Sequence, residues 1–232
     1  MFKVFKPVQY FLHLIYPDIC EICNKYLVHG EKIICSDCRI DIPLTHNWNE
    51  RGNSVEQIFW GRAPIVSAAS YFFFARGSKY RILLHKLKYA GRYDIGITLG
   101  SWFGAELATC KIFADVDFII PVPLHPKKQQ SRGYNQSEKI CNGLSESLKK
   151  PVDSKTVIRS EFTNTQTKKN RMERWRNVSN VFEIKNPEKL KDKHILLVDD
   201  VLTTGATLEA CCNAILSKVE CRISIATLAF AH

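Results

Sequence analysis

The sequence predicts an α/β fold, a parallel sheet flanked by helices, with a small cysteine-bearing module in front of it. Three observations carry that prediction. From residue 64 onward, short apolar, β-prone runs alternate with segments of helical periodicity, the order that sets parallel strands in one sheet with helices on both faces. Near the end, the apolar run 194–198, a turn, a helical segment and the run 222–230 follow one another as strand, helix, strand. Before residue 46 the pattern is different, because Cys20, Cys23, Cys35 and Cys38 are grouped there.

The elements follow in chain order. Residues 2–15 read as an amphipathic helix whose face of Phe5, Val8, Phe11, Leu12 and Ile15 packs on its own domain. Lys6-Pro7 and His13 interrupt this stretch and no small-residue cleavage site follows, so a signal peptide is the weaker reading and a cytoplasmic protein is expected. Residues 1–45 thus form an N-terminal helix plus a cysteine module. Residues 46–63, with Asn47, Gly52 and Asn53, read as a polar connector, and 64–232 as the main domain.

Within that domain, 65–74 is a strand ended by Arg76-Gly77, and Tyr80, Leu83, Leu84 and Leu87 recur at helical spacing. After Gly91, a second helix buries Ile95, Leu99, Trp102 and Phe103. Residues 116–120 are a buried strand stopped by Pro121 and Pro123. A basic loop then leads to a helix starting near Asn135, where Asn135 and Glu138 have capping-box spacing. The stretch 160–180 is polar and poorly periodic. The last helix puts Leu208, Cys211, Cys212 and Ile215 on one face.

With 232 residues, 45% apolar and 24% charged, the chain has the composition of a soluble globular protein with one core and a small accessory module. Its apolar runs fall far short of the roughly 20 residues that span a bilayer. A net charge of +10 favours a phosphate-bearing partner, either a nucleotide-like small molecule or a nucleic acid.

Cys20-x2-Cys23 and Cys35-x2-Cys38 have the spacing at which two turns each present a pair of thiolates to one tetrahedral zinc ion. Four thiolates leave no open position, so such an ion is structural. His29 and His46 lie nearby as spectators.

The run from Ile195 through Asp199, Asp200, Thr203, Thr204, Gly205, Ala206 and Thr207 delivers two carboxylates at a strand end and small hydroxyl residues at a helix start. Free N–H groups and the helix dipole attract phosphate there, and Gly205 permits close backbone approach. Adjacent acids repel, so vicinal hydroxyls, a Mg²⁺ ion or both would offset them. Solvated loop acids are the bland alternative for a bare Asp-Asp. Neither a Walker A pattern nor a G-x-G-x-x-G is present.

The segment 195–207 resembles the phosphoribosyl pyrophosphate signature of type I phosphoribosyltransferases. Taken with the four cysteines, Pro121-Val-Pro-Leu124, Arg132-Gly-Tyr-Asn-Gln136, Gln166, Arg174-x-x-Asn177 and Phe182, the chain is similar to the ComF family, bacterial proteins linked to DNA uptake in natural competence. The resemblance implies a type I phosphoribosyltransferase-like sheet behind a small zinc-ribbon module. It further implies that Asp199 and Asp200 bind the ribose hydroxyls and that residues 203–207 hold the 5′-phosphate.

The loop with Lys127, Lys128, Arg132, Gly133, Asn135 and Gln136 would take the pyrophosphate, a role its position before a helix start also supports; solvated lysines are the alternative for Lys127 and Lys128. Gln166, Arg171, Arg174 and Asn177 fall where these enzymes carry a mobile loop. That basic stretch, with Trp175, also suits single-stranded DNA or a plain solvated loop. Thr203 stands where purine-salvage members carry an aspartate base, and the chain ends just after the last strand. By the resemblance, purine transfer is therefore in doubt, and any hood over an acceptor comes from the amino-terminal part. Two classes of function remain, a phosphoribosyltransferase of unknown acceptor and a DNA-binding component working with other competence proteins.

Overall fold

The computed structural model describes residues 17–75, 77–159 and 181–231. The expected helix at 2–15 and the polar stretch 160–180 lie outside them.

Four parallel strands make the main sheet: β1 (Ser67–Phe74), β2 (Phe118–Pro121), β5 (His194–Leu202) and β6 (Arg222–Ala231), in the order β1-β6-β5-β2. Successive residues of a strand face opposite sides. In β5, accordingly, Leu196 and Val198 join one apolar cluster while Ile195 and Leu197 join another, and all four are fully buried. A strand covered on both faces has no polar alternation to show, and the apolar run says as much. Strand β5 continues past Val198, because its ladder with β6 runs on through Asp199↔Thr227 to Leu202↔Phe230.

On the first face lie α3 (Arg81–Tyr89), α4 (Tyr93–Ala108) and α7 (Gln136–Leu148); α8 (Ala206–Leu216) covers the second. The stripe predicted for α4 is buried at Ile95, Leu99 and Phe103. Trp102 is only half-buried at the edge of that stripe, with the Arg39 guanidinium 4.3 Å above its ring. Helices α4 and α7 approach closely: a Cβ at Gly100 would collide with the Ile140 carbonyl, and one at Gly143 with that of Ile97.

Short helices α1 (Ser36–Ile40), α2 (Ser54–Gln57), α5 (Lys111–Ala114) and α6 (Pro126–Arg132) complete the α-helices among the described residues, beside 3-10 turns at Asn47–Asn49 and Pro187–Leu190. The basic loop thus contains a helix, started by Pro126 at its first turn and capped by His125, whose Nδ1 accepts from the Lys127 N–H at 3.2 Å. Two three-residue strands, β3 (Val157–Arg159) and β4 (Phe182–Ile184), pair antiparallel on either side of residues 160–180.

Segment 46–63 is built into the core. Trp48, Val55 and Phe59 are buried in it. Buried Asn53 caps α2 by accepting from the Val55 and Glu56 N–H groups, and its amide donates to the carbonyls of Asn47, Glu50 and Ala68, each at 3.0 Å.

Candidate functional site

The acid pair lies near the carboxyl end of β5, followed within the strand by Val201 and Leu202. Asp199 Oδ1 accepts from the Ser137 hydroxyl at 2.9 Å and from the Asp200 N–H at 2.9 Å. Asp200 Oδ2 lies 2.9 Å from Nζ of Lys88, at the end of α3. The two acids point to different surroundings, as strand neighbours must: Asp199 borders a small pocket shared with Thr203, Thr204, Gly205, Ala206 and Thr207, whereas Asp200 meets α3. Burial pushes the Asp199 carboxyl up to about 7, and the charge of Asp200 adds to the rise; the Asp200 N–H and the Ser137 hydroxyl pull the other way.

The turn after β5 presents Thr203, Thr204, Ala206 and Thr207 to solvent and buries Gly205 beneath them. Gly205 is the N-cap of α8 with φ +75°, and a Cβ there would come within 2.9 Å of Ile58 Cγ2. Its glycine is thus required by the backbone conformation and by packing on segment 46–63. The first N–H groups of α8 have no carbonyl partner one turn earlier in the helix, so they are available to an anion in the pocket. Arg62 fixes the turn from below, with Nη1 donating to the Thr204 carbonyl at 2.8 Å and Nε to Glu209 Oε2 at 3.0 Å.

The loop after β2 leads into α7, whose Ser137 reaches Asp199. Lys127 and Lys128 are exposed on α6. Arg132 donates to Gln136 Oε1 at 2.9 Å and lies 5.1 Å over the ring of Tyr89. Gly133, at φ +78°, ends α6. Asn135 and Gln136 are buried: Asn135 caps α7 by accepting from the Ser137 N–H and donates to the Val122 carbonyl, both at 3.0 Å. Glu138 takes no reciprocal part in that cap, so the capping-box spacing yields a simple asparagine cap. The Tyr134 hydroxyl donates to the Leu87 carbonyl and ties the loop to α3.

Also packed against α3, the Sγ atoms of Cys20, Cys23, Cys35 and Cys38 all lie within 4.8 Å of one another. Cys23 and Cys35 Sγ are 3.6 Å apart, far beyond a disulfide and close to the roughly 3.8 Å between sulfurs of a tetrahedral zinc tetrathiolate. The cluster is compatible with structural zinc. Buried Glu21, next to Cys20, pairs with Lys86 and Arg92, and the Tyr80 hydroxyl donates to the Cys38 carbonyl at 3.1 Å.

Comparison with known proteins adds the following. The family model for the phosphoribosyl transferase domain matches residues 136–232, which carry the Asp199–Asp200 turn. DNA utilization protein YhgH of Escherichia coli O157:H7 is 30% identical over 194 residues, 82% of this chain and 80% of that protein. Competence protein F of Haemophilus influenzae is 32% identical over 202 residues, 85% of this chain and 83% of that protein. The chain belongs to the ComF family. A further relative of this ComF protein, competence protein ComFC of Bacillus subtilis, is 26% identical over 86% of the chain and 72% of its own length.

Of the residues singled out by sequence, the ComF fold brings Asp199, Asp200 and residues 203–207 together at one strand end, with Ser137 linking the Asn135–Gln136 helix start to Asp199. Gln166, Arg171, Arg174 and Asn177 lie outside the described residues. Lys88, Arg62 and Ser137 went unread. Lys88 sits on an ordinary amphipathic helix and Arg62 in a polar segment far away in sequence, so neither carried a local signal. Ser137 did carry one, being the residue its neighbour Asn135 caps.

No helix among the described residues is long and apolar enough to cross a membrane.

Proposed function

We propose that this ComF-family protein binds phosphoribosyl pyrophosphate with Mg²⁺ and displaces its pyrophosphate in favour of an acceptor still to be named. The observation that carries this reading is the acid pair near the carboxyl end of β5, leading within a few residues into the open start of α8. Asp199 and Asp200 accept from the ribose 2′- and 3′-hydroxyls. The N–H groups at the start of α8 and the hydroxyls of Thr203, Thr204 and Thr207 donate to the 5′-phosphate, and Arg132, Lys127 and Lys128 attract the pyrophosphate. Gly133, Asn135 and Gln136 shape that loop.

The donor set fits a divalent cation, since Asp200 already holds a cationic group and carboxylate oxygens are hard ligands. Bound there, such an ion supplies positive charge to the departing pyrophosphate. The protein's own part is electrostatic: carboxylates and fixed dipoles placed around an anomeric centre that turns cationic, with no nucleophilic side chain required. The four cysteines hold a structural zinc ion away from this chemistry.

Calorimetric titration of phosphoribosyl pyrophosphate with Mg²⁺ tests the reading. Asp199→Ala/Asp200→Ala should lose at least about tenfold in affinity, because charge-assisted hydrogen bonds contribute roughly 1.5–3 kcal/mol each. Equal affinities in parent and variant would refute it.

A second reading, direct handling of single-stranded DNA, draws on the charge of +10 and on relatives named for DNA utilization and competence. Its signature is binding to an oligonucleotide that weakens linearly in log–log plots against salt. Absence of binding at low salt would remove it.

A further inference from the structure

Lys88 has no part in the roles assigned above, yet its ammonium group sits on the acid pair. Nζ lies 2.9 Å from Asp200 Oδ2, and the side chains are 24% and 13% exposed, so water screens the pair far less than an ordinary surface ion pair. Its placement is set by packing. Leu83, Leu84 and Leu87 bury one side of α3, Tyr134 donates to the Leu87 carbonyl, and Lys86, one turn inward of the helix end, is held by Glu21. A lysine in the last turn also suits the negative end of the helix dipole.

The consequence follows from charge. Asp199 and Asp200 are adjacent, and Asp199 is held by Ser137 without a cation of its own among the described contacts. Among the described residues, Lys88 supplies the positive charge paired with Asp200, and its field also acts on Asp199. A free divalent cation entering at Asp200 must displace that ammonium from the carboxylate it pairs with. A ligand carrying phosphate oxygens brings the ammonium a new partner along with the cation.

We infer that Lys88 is the resident counter-cation of the acid pair, keeping free divalent cations off Asp200 so that the site takes its cation together with a phosphorylated ligand. This inference rests on the proposed reading of Asp199 and Asp200 as the groups that meet ribose and metal, and it assigns Lys88 a specificity role in that site.

The test is binding of free Mn²⁺, without any phosphorylated ligand, followed by electron paramagnetic resonance of the unbound ion. Lys88→Met should bind Mn²⁺ at least tenfold more tightly than the parent, Lys88→Arg should resemble the parent because it retains the charge, and Lys88→Met/Asp200→Asn should lose the gain. Lys88→Gln serves the same purpose should the methionine variant fold poorly. Equal Mn²⁺ affinity in Lys88→Met and parent overturns the inference, as does a gain shared by Lys88→Arg or one that survives loss of Asp200. The outcome is separable from that of the functional proposal. If the parent binds phosphoribosyl pyrophosphate but the variant gains no Mn²⁺ affinity, only the role of Lys88 falls. If the variant gains Mn²⁺ affinity and the parent ignores phosphoribosyl pyrophosphate, the counter-cation stands and the ligand has been misassigned.

Discussion

Asp199 is the residue at which structure and proposed ligand compete. Its carboxyl ordinarily titrates near 3.8 and is lifted to about 7 in the folded chain, by burial first and by Asp200 second. A raised acid pKa means that the folded state holds a proton which the unfolded state has already released. The stability this confers is complete below about pH 4 and is lost as pH rises toward 7. Asn at this position does not titrate, yet its side-chain oxygen can still accept from Ser137 and from the Asp200 N–H. Asp199→Asn should therefore exceed the parent in stability at pH 8 by on the order of 2–4 kcal/mol, with the gap closing toward pH 4. Urea unfolding at the two pH values measures it, and a gap independent of pH would contradict the assigned cause. The same ionisation makes Asp199 a better partner for ribose hydroxyls and a cation above pH 7, so stability is given up where binding is gained.

Between elements, the decisive contact is that of the 203–207 turn with segment 46–63. Gly205 combines a left-handed φ of +75° with Ile58 packed against the position a Cβ would take. Gly205→Ala should cost about 2 kcal/mol, strain and overpacking together, visible as a lowered urea midpoint; a neutral substitution would mean that the turn is free to shift. The turn itself was legible, because strand, acids, small hydroxyl residues and helix start are contiguous in sequence and each obeys a local rule. Its support was not. Ile58, Phe59 and Arg62 come from far upstream, and Asn53 resembles any turn residue until its buried amide is seen bridging three carbonyls. Strands β3 and β4, three residues each, are too short for alternation to show. Gly96, Gly100 and Gly104, spaced by four along α4, mark its close packing on α7, a signal in the sequence that went unused. Lys88 was invisible, since a lysine on an amphipathic helix reads as solvated.

Over the whole molecule, α3 joins two sites. Its Lys86 pairs with Glu21 beside the first cysteine, Tyr80 just before it donates to the Cys38 carbonyl, and its Lys88 reaches Asp200. The apolar cluster is continuous over the same path: Cys20, Cys35 and Cys38 pack in one core with Leu83, Leu87, Phe103 and Val198, the last being the residue before the acid pair. Two modules with separate cores would unfold separately, whereas a shared core transmits the loss of one part to the other. With zinc bound by the four thiolates as proposed, its removal leaves the Cys20–Cys38 segment without its cross-link and loosens the Glu21 and Cys38 contacts that seat α3. Chelation, or Cys35→Ser, should therefore lower the melting temperature of the entire chain in one transition. A loss of 2–3 kcal/mol corresponds to roughly 5–10 °C in a chain of this size. The affinity for phosphoribosyl pyrophosphate should fall with it, because Lys88 and the Arg132 loop are both anchored on α3. Calorimetric melts and ligand titrations before and after chelation decide the matter. A main transition that stays in place while a small early one appears, with ligand affinity unchanged, would show the cysteine module to be an independent appendage.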